Sequence, residues 1–297
     1  MNERDLNYFC SLVETGNYTA TAKQFQVTQP AISAALKRLE TKYQTPLLTQ
    51  PNHRARLVTT AAGQVLYIKA RQLLKTFAQV ELEVRHADEQ QVRLGFSHVA
   101  GGIWLPKVVE AFAHQRLLAD VTTEVAISVE LLERLRNHKL DAAIFSSLQP
   151  MQSEDLQVFQ LETHPLCMLV NVQHPLSHLT MIRAEDLQQF PIIARMPHSL
   201  PRTALERYCH QSNVRPNIIY EAHSNQLVEK LVARNLGVGF VISDSVSLSP
   251  NVIQVPLKPS QAIDCYMQLA VRKSFLPNAH QAKCIDLLKH IKMPTDA

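Results

Sequence analysis

Residues 16–40 read GNYTATAKQFQVTQPAISAALKRLE, and this stretch decides the fold of the N-terminal region. It follows an apolar repeat at helical spacing that stops at Gly16, and glycine is favoured just past the C-terminus of a helix. Asn17 and Thr19 can cap a second helix, which we predict over residues 20–25. The chain therefore enters this region as two helices separated by a short break.

A third helix is predicted to start at Thr28, a candidate N-cap, with Pro30 in its first turn, where a missing N–H costs nothing. Ile32, Leu36 and Leu39 then share the inward face. Small polar side chains occupy the outward face of the N-terminal half, and the whole has the layout of a helix-turn-helix. An ordinary surface helix has the same pattern, so the spacing alone leaves both interpretations open.

Charge is distributed unevenly along the chain. Residues 1–75 hold ten Lys and Arg against four Asp and Glu, whereas the remainder holds twenty against twenty-two. A basic excess at one end is typical of proteins that bind nucleic acid, although a solvated basic face without a partner would look the same.

An apolar seam follows the third helix. Its residues recur at alternating steps of four and three through a stretch without proline: Leu66, Ala70, Leu73, Phe77, Val80, Val84 and Ala87. This heptad pattern predicts a long helix paired with a second copy of the chain, and a helix packed on its own domain is the alternative. A two-fold dimer would read an inverted repeat with half-sites about 34 Å apart, or a multiple of that distance.

Beyond residue 91, short apolar runs alternate with helical patterns, which predicts an α/β domain with largely parallel sheets. Strands are expected at 92–96, 121–127, 142–145, 166–170, 192–194, 218–220, 238–242 and 265–271, and a last helix at 277–291. The strands form two halves. Lobe I covers about 91–162 and 266–297 and lobe II about 163–265, so the two crossings near 162 and 265 make a hinge.

Ligands of such folds bind where strands end and helices begin. The candidates at these junctions are Ser97, His98, Val99, Ser128, Met196, His198, Ser199, Arg202, His223 and Ser224. Three are histidines, whose charge changes near pH 6.5, and Arg195 and Arg202 add positive charge. We therefore predict a small organic acid, such as malate, as the ligand. A serine at a helix start also acts as a simple cap, and that alternative stays open.

Composition restricts the class of protein further. The N-terminus lacks the basic and apolar segments of a signal peptide, no segment has about 18 consecutive apolar residues, and the five cysteines form no C-x-x-C pair. We expect a cytoplasmic protein with reduced thiols and no membrane contact.

Enzyme motifs are incomplete. Residues 95–99 (GFSHV) begin like a nucleophile elbow, but Val99 stands where the second glycine is needed. Phosphate-loop and dinucleotide fingerprints are absent, and His174 and His178 have no cluster of metal ligands around them. We expect no catalysis, cofactor or metal. A solute-binding receptor would account for the second half but not for the basic first ninety residues.

The N-terminal motifs resemble those of the LysR-type transcriptional regulators. The matching runs are Asp5-Leu6-x-x-Phe9, Gly16-Asn17-Tyr18-Thr19-x-x-Ala22 and Val27-Thr28-Gln29-Pro30-Ala31-Ile32-Ser33-x-x-Leu36-x-x-Leu39-Glu40. Residues 45–48, 51–56 and 60–63 are similar to the family's turn, wing and linker-helix entry. The sequence departs from the family pattern at Gln44, Leu48, Thr49, Gln50 and Thr59.

The resemblance implies a winged helix-turn-helix at 1–60, a dimerising linker helix at 61–90, and an effector domain at 91–297 that is similar to periplasmic solute-binding proteins. It implies DNA contacts from Thr28, Gln29, Pro30 and Ser33 in the groove and from Lys37, Arg38, Arg54 and Arg56 near phosphates. We expect Gln29 to read a base, because glutamine can bond adenine at two atoms. The seam residues Leu66, Leu73, Phe77, Val80 and Val84 would join two copies. The implied partners are double-stranded DNA, a small-molecule effector, RNA polymerase and further copies of the chain, in a dimer or a dimer of dimers.

Overall fold

The computed structural model describes residues 2–50 and 56–291. The chain divides into two compact units, Met1–Asp88 and Glu89–Ala297. Among the described helices, not one combines the length and the apolar character needed to cross a membrane.

The first unit is built on helices with a small two-stranded sheet. Its elements are α1 (Glu3–Thr15), α2 (Tyr18–Gln24), α3 (Gln29–Tyr43), β1 (Leu48–Thr49), β2 (Val58–Thr59) and α4 (Ala61–His86). Leu6, Phe9, Leu12, Ile32 and Leu39 are buried in the core that joins α1 to α3. β1 and β2 pair antiparallel, and the segment between Gln50 and Arg56 lies outside the described residues.

The caps of the first helices agree in part with the sequence prediction. Gly16 ends α1 with a φ of 65°, and its N–H donates to the carbonyl of Leu12. Asn17 caps α2 by accepting a hydrogen bond from Ala20 N at 3.0 Å. The helix therefore begins at Tyr18, two residues earlier than predicted, and Thr19 lies inside it rather than at its cap. Asn17 satisfies one of the free N–H groups of the first turn and so favours a helix that starts directly after it.

The long helix α4 begins against the body of the first unit. Thr60 caps it by accepting from Gly63 N at 2.9 Å, and the same hydroxyl donates to the carbonyl of Pro46 at 2.8 Å. A Cβ on Gly63 would lie 1.9 Å from the carbonyl oxygen of Leu47. Glycine is therefore needed at this position so that the first turn of α4 can approach the chain before it.

The second unit is a mixed α/β structure. Its strands are β3 (Val92–Ser97), β4 (Val121–Ala126), β5 (Ala142–Ser147), β6 (Leu156–Asn171), β7 (Ile192–Arg195), β8 (Ile218–Ala222), β9 (Val238–Ile242), β10 (Val252–Pro256) and β11 (Asp264–Arg272). Its α-helices are α5 (His98–Ile103), α6 (Leu105–His114), α7 (Ser128–Arg136), α8 (Leu200–Gln211), α9 (Asn225–Val232) and α10 (Ala279–His290). The strand order is β4-β3-β5-β11-β6-β9-β7-β8, with β10 added on β6.

The expectation of largely parallel sheets is wrong for the middle of this order. β3 is parallel to β4 and β5, and β7 is parallel to β8 and β9, but β6 and β11 are antiparallel to every strand they pair with. β6 begins at Leu156, ten residues before the predicted strand. The prediction missed its first half because polar side chains interrupt the apolar run there. β10 was not predicted at all.

The predicted crossing near residue 162 falls inside β6. The first part of this strand pairs with β11, from Leu156 opposite Arg272 to Pro165 opposite Asp264, and the last part pairs with β9 and β10. The pairing with β11 shifts register between Met267 and Gln268. One strand thus runs through both halves of the sheet without a loop between them.

Candidate DNA interface and ligand cleft

The outer face of α3 carries a stripe of exposed polar side chains. Gln29, Ser33 and Lys37 follow one another at steps of four residues and are exposed, whereas Ile32 and Leu36 are buried on the opposite side. None of the three stripe side chains forms a hydrogen bond or ion pair within the described part of the chain. Thr28 and Pro30 are exposed at the start of the same helix, and the Thr28 hydroxyl makes no capping bond. These five groups are available to an external partner.

The two arginines assigned to phosphates inside the described range are bonded within the first unit. Arg38 pairs with the buried carboxylate of Asp5 on α1. Arg56 donates from Nη2 to the carbonyl of Glu14 at 2.6 Å, and its stem lies where a Cβ on Gly16 would be. Arg54 lies outside the described residues. Phosphate contacts by these arginines stay predictions.

The apolar seam of α4 divides into two parts. Ala70 is fully buried and Leu66 is half-buried against the core of the first unit. Later seam positions are exposed, with 42% for Leu73, 44% for Phe77 and 69% for Val84. Val80 is likewise exposed. The first part of the seam therefore packs on its own domain, and only the part from Leu73 onward is available to a second copy.

Three serines from three strand ends meet in the second unit. The buried Ser97, the last residue of β3, accepts from Ala100 N at 3.2 Å as the cap of α5, and its Oγ lies 3.1 Å from the Oγ of Ser146. Ser128, at the start of α7, donates to the carbonyl of Ser146 at 3.1 Å. Ser146 was not among the predicted residues, although its place at the C-terminal end of β5, next to β3, was a signal for it.

The candidates of the second half lie around β7 and β8. The main chain of Met196 bonds Ala222, and Ser199 donates to the Met196 carbonyl at 2.7 Å instead of capping α8. Ser224 caps α9 by accepting from Leu227 N at 3.1 Å. Ser199 and Ser224 thus have local structural partners.

Positive charge near these junctions is mostly compensated. Arg202 bonds Glu206 at 2.7 Å and Glu221 at 2.8 Å. Arg195 donates to the carbonyls of Ala222 and His223, and burial lowers the pKa of its guanidinium. His98, His198 and His223 are all exposed, and His198 has a left-handed φ of 64°. A role for these residues in ligand binding stays a prediction.

A cleft of about 490 Å³ opens at the end of β5, and we call it the β5 cleft. It is lined by Ser128, Val129, Leu132, Phe145, Ser146, Ser147, Leu148, Gln149, Met151 and Arg207. Of the ten predicted ligand residues, only Ser128 is in this lining. Arg207 comes from α8, in the predicted lobe II, whereas the rest come from the predicted lobe I. Pattern alone did not single out Arg207, because it lies inside a helix and not at a junction.

Metal binding has no support in residues 2–50 and 56–291, where no three His, Cys, Asp or Glu side chains are grouped so as to hold an ion.

The chain matches known sequence families over most of its length. The family model described as "Bacterial regulatory helix-turn-helix protein, lysR family" matches residues 4–64, and the one described as "LysR substrate binding domain" matches residues 85–291. The "Malolactic fermentation system transcriptional activator" of Lactococcus lactis is 23% identical over 293 residues, which is 98% of this chain and 99% of the relative. The "HTH-type transcriptional regulator AlsR" of Bacillus subtilis is 29% identical over 253 residues, which is 84% of this chain and 82% of the relative.

Solved structures share the fold. Full-length BenM superposes with a TM-score of 0.55 at 21% identity, covering 98% of this chain and 96% of BenM. Full-length CbnR complexed with its target DNA gives a TM-score of 0.53 at 18% identity, covering 98% of this chain and 99% of CbnR.

Proposed function

Because the chain belongs to the LysR family of bacterial transcriptional regulators, we propose that it binds an inverted-repeat DNA site as a homo-oligomer and responds to a small organic acid. The family assignment makes the chain a regulator with a DNA-binding and a ligand-binding domain, and not an enzyme. We also propose that the protein acts in the cytoplasm, together with the DNA that it binds.

The observation that carries the DNA part is the stripe of Gln29, Ser33 and Lys37. An α-helix fits the major groove of B-DNA, and side chains at steps of four reach successive base edges or the phosphates beside them. Gln29 is at the first turn, where recognition helices contact bases, and Lys37 lies two turns later, where a cation reaches a phosphate. A buried opposite face fixes the helix so that this stripe points outward.

The test is a binding titration on the DNA upstream of the protein's own gene, at several salt concentrations. We expect saturable binding that weakens with salt. Gln29→Ala should weaken specific binding by about 1–3 kcal/mol and relax the base preference at one position. Gln211→Ala is the matched control, since Gln211 is an exposed glutamine at the end of α8. Equal affinity for every sequence tested would contradict the proposal.

For the ligand, we propose a small organic acid held in the second unit, with malate as the first compound to test. The support is the polar residues at the strand-to-helix junctions and the name of the malolactic relative. Ligand closure of one half of the sheet on the other would alter how dimers lie on DNA and how they contact RNA polymerase. To have this effect, the ligand must bind one arrangement of the dimers more tightly than the other.

The test of the ligand is calorimetric titration at pH 5–7. If it detects no carboxylate binding, the proposal of an organic acid as the ligand is refuted.

For the assembly, we propose a dimer of dimers, which requires two separate interfaces. The exposed seam of α4 from Leu73 to Val84 supports one. The unpaired outer edges of β4 and β8 support the other, because each ends the strand order and exposes apolar side chains, among them Val125 and Ile219. Open, apolar strand edges are rarely left uncovered in soluble proteins.

A further inference from the structure

Arg207 is the one cation among the described residues that line the β5 cleft. It is exposed on α8 and has no hydrogen-bond or ion-pair partner among the described residues. We propose that the β5 cleft binds a monocarboxylate with an apolar body and that Arg207 binds its carboxylate. This inference rests on the proposed function, since it names the class of ligand for the same domain.

The nearby arginines cannot supply this charge as readily. Arg202 already bonds two carboxylates, and the guanidinium of Arg195 is occupied by the carbonyls of Ala222 and His223. A guanidinium matches a carboxylate with two parallel hydrogen bonds, which makes Arg207 a specific partner and not only a point charge. Among the described residues that line the cleft there is no aspartate or glutamate to repel an anion.

Most of the cleft wall is apolar. Leu132 and Phe145 are buried, and Val129, Leu148 and Met151 are the other apolar residues of the lining. The uncharged polar residues of the lining are Ser128, Ser146, Ser147 and Gln149. Its volume of about 490 Å³ is within the range of small-molecule sites. The cleft therefore offers one cation for one carboxylate and apolar surface for a hydrocarbon body, and its described lining holds no cation for a second carboxylate.

The polar part of the wall is held in place from β11. The buried Gln268 accepts from Met151 N at 2.7 Å and donates to the Ser147 hydroxyl at 2.6 Å. Ser147 in turn donates to the carbonyl of Gln149 at 2.5 Å. One side-chain amide thus fixes both ends of the segment 147–151, and a wall that is already fixed loses less conformational entropy when a ligand binds.

The experiment is calorimetric titration of the full chain with compounds of matched length: hexanoate, its uncharged amide hexanamide, and the dicarboxylate hexanedioate. Phenylacetate and malate complete the set. We expect hexanoate or phenylacetate to bind more tightly than hexanedioate and malate, and hexanamide to show no binding.

Three variants separate the role of Arg207 from general charge. Arg207→Met should weaken monocarboxylate binding about ten- to a hundredfold, the loss of one charged hydrogen-bonding partner. Arg207→Lys keeps the charge and should lose less. Arg215→Met removes an exposed arginine just beyond the end of α8, outside the cleft lining, and should bind as the wild type does. Thermal unfolding of each variant checks that the fold is kept.

The proposal is overturned if neither monocarboxylate binds up to about 10 mM, if hexanedioate or malate binds more tightly than both, or if Arg207→Met binds like the wild type. Each of these results leaves the DNA titration intact. A chain that binds its operator but fails here remains a regulator with a different ligand.

Discussion

Arg38 on α3 and Asp5 on α1 form a two-point ion pair, with Nη2 2.5 Å from Oδ1 and Nε 3.3 Å from Oδ2. Asp5 is 2% exposed, so its carboxylate depends on this arginine for compensation. We expect Arg38→Ala to lower the urea midpoint of the first unit, because it leaves a buried charge unpaired. Lys37→Ala is the control, since Lys37 is exposed beside Arg38 and has no partner in the described chain. Equal midpoints for the two variants would mean that the pair does not stabilise the fold.

Lys37 should contribute to DNA binding. Lys37 is free to neutralise a phosphate, so Lys37→Ala should reduce the slope of log affinity against log salt by about 0.9 and weaken all sequences alike. The measurement is a set of binding isotherms between low and moderate salt on operator and random DNA. An unchanged slope would remove Lys37 from the phosphate contacts.

Gln44 holds a backbone conformation that favours glycine. Its φ is 50°, at the C-terminal end of α3, and its N–H donates to the carbonyl of Glu40. Because a left-handed residue with a side chain is strained, Gln44→Gly should raise the free energy of unfolding by about 0.5–1 kcal/mol. Ala34→Gly, in the exposed middle of α3, should lower it by a similar amount. Denaturant titrations of both variants check the opposite signs.

The N-terminal region was the more predictable part of the fold. Gly16 and Pro30 act through local backbone geometry, so their positions alone indicate where α1 ends and α3 begins, whereas α2 begins two residues earlier than predicted. The apolar seam of α4 was less predictable, because a heptad pattern is the same whether the surface it packs against belongs to the same chain or to another. Ala70 consequently packs on its own domain, whereas Phe77 is left exposed.

The proposed ligand site depends on contacts that pattern does not encode. Ser97 and Ser128 were predicted as ligand residues because each lies at the junction of a strand and a helix. Arg207 and Gln268 were missed, since one is in mid-helix and the other in mid-strand, and only the three-dimensional arrangement brings them to the segment 147–151. The antiparallel first half of β6 was also missed, because the adjacent apolar residues Val158 and Phe159 and the polar run 162–164 break the alternation that indicates a strand.

All five cysteines are buried and free, and they should be unreactive in the folded protein. Burial raises the pKa of Cys10 and Cys209 to about 11 and of Cys167 and Cys265 to about 12, and it raises the pKa of Cys284 as well. The thiolate is the nucleophile that attacks thiol reagents, so a colorimetric assay at pH 8 should detect no fast-reacting thiol in the native state and five in denaturant. A rapidly labelled native thiol would contradict this.

The same pKa shifts predict alkaline instability. Thiols of the unfolded chain ionise near their ordinary pKa of 9.0, whereas the folded chain keeps the protons on Cys10 and Cys167 until about 11 and about 12. The unfolded state therefore binds fewer protons than the folded state in this window, and stability falls as the pH rises from 9 towards 12. Unfolding free energies measured across this range should decline less in a Cys167→Ala, Cys265→Ala variant, after correction for its lower starting stability.

The two proposed interfaces can be separated by mutation. Phe77→Glu with Val84→Glu places charges on the exposed seam of α4, and Val125→Glu with Ile219→Glu places them on the outer edges of β4 and β8. If the assembly is a dimer of dimers, each pair of substitutions should yield dimers and all four together should yield monomers, because burial of an unpaired carboxylate opposes association. Sedimentation velocity at several protein concentrations distinguishes tetramers, dimers and monomers.

The matched control is Leu276→Glu. Leu276 is 89% exposed and lies outside both surfaces, so its replacement should leave the sedimentation coefficient unchanged. A tetramer that survives the seam substitutions but not the edge substitutions would assign all association to the second unit and remove α4 from the assembly.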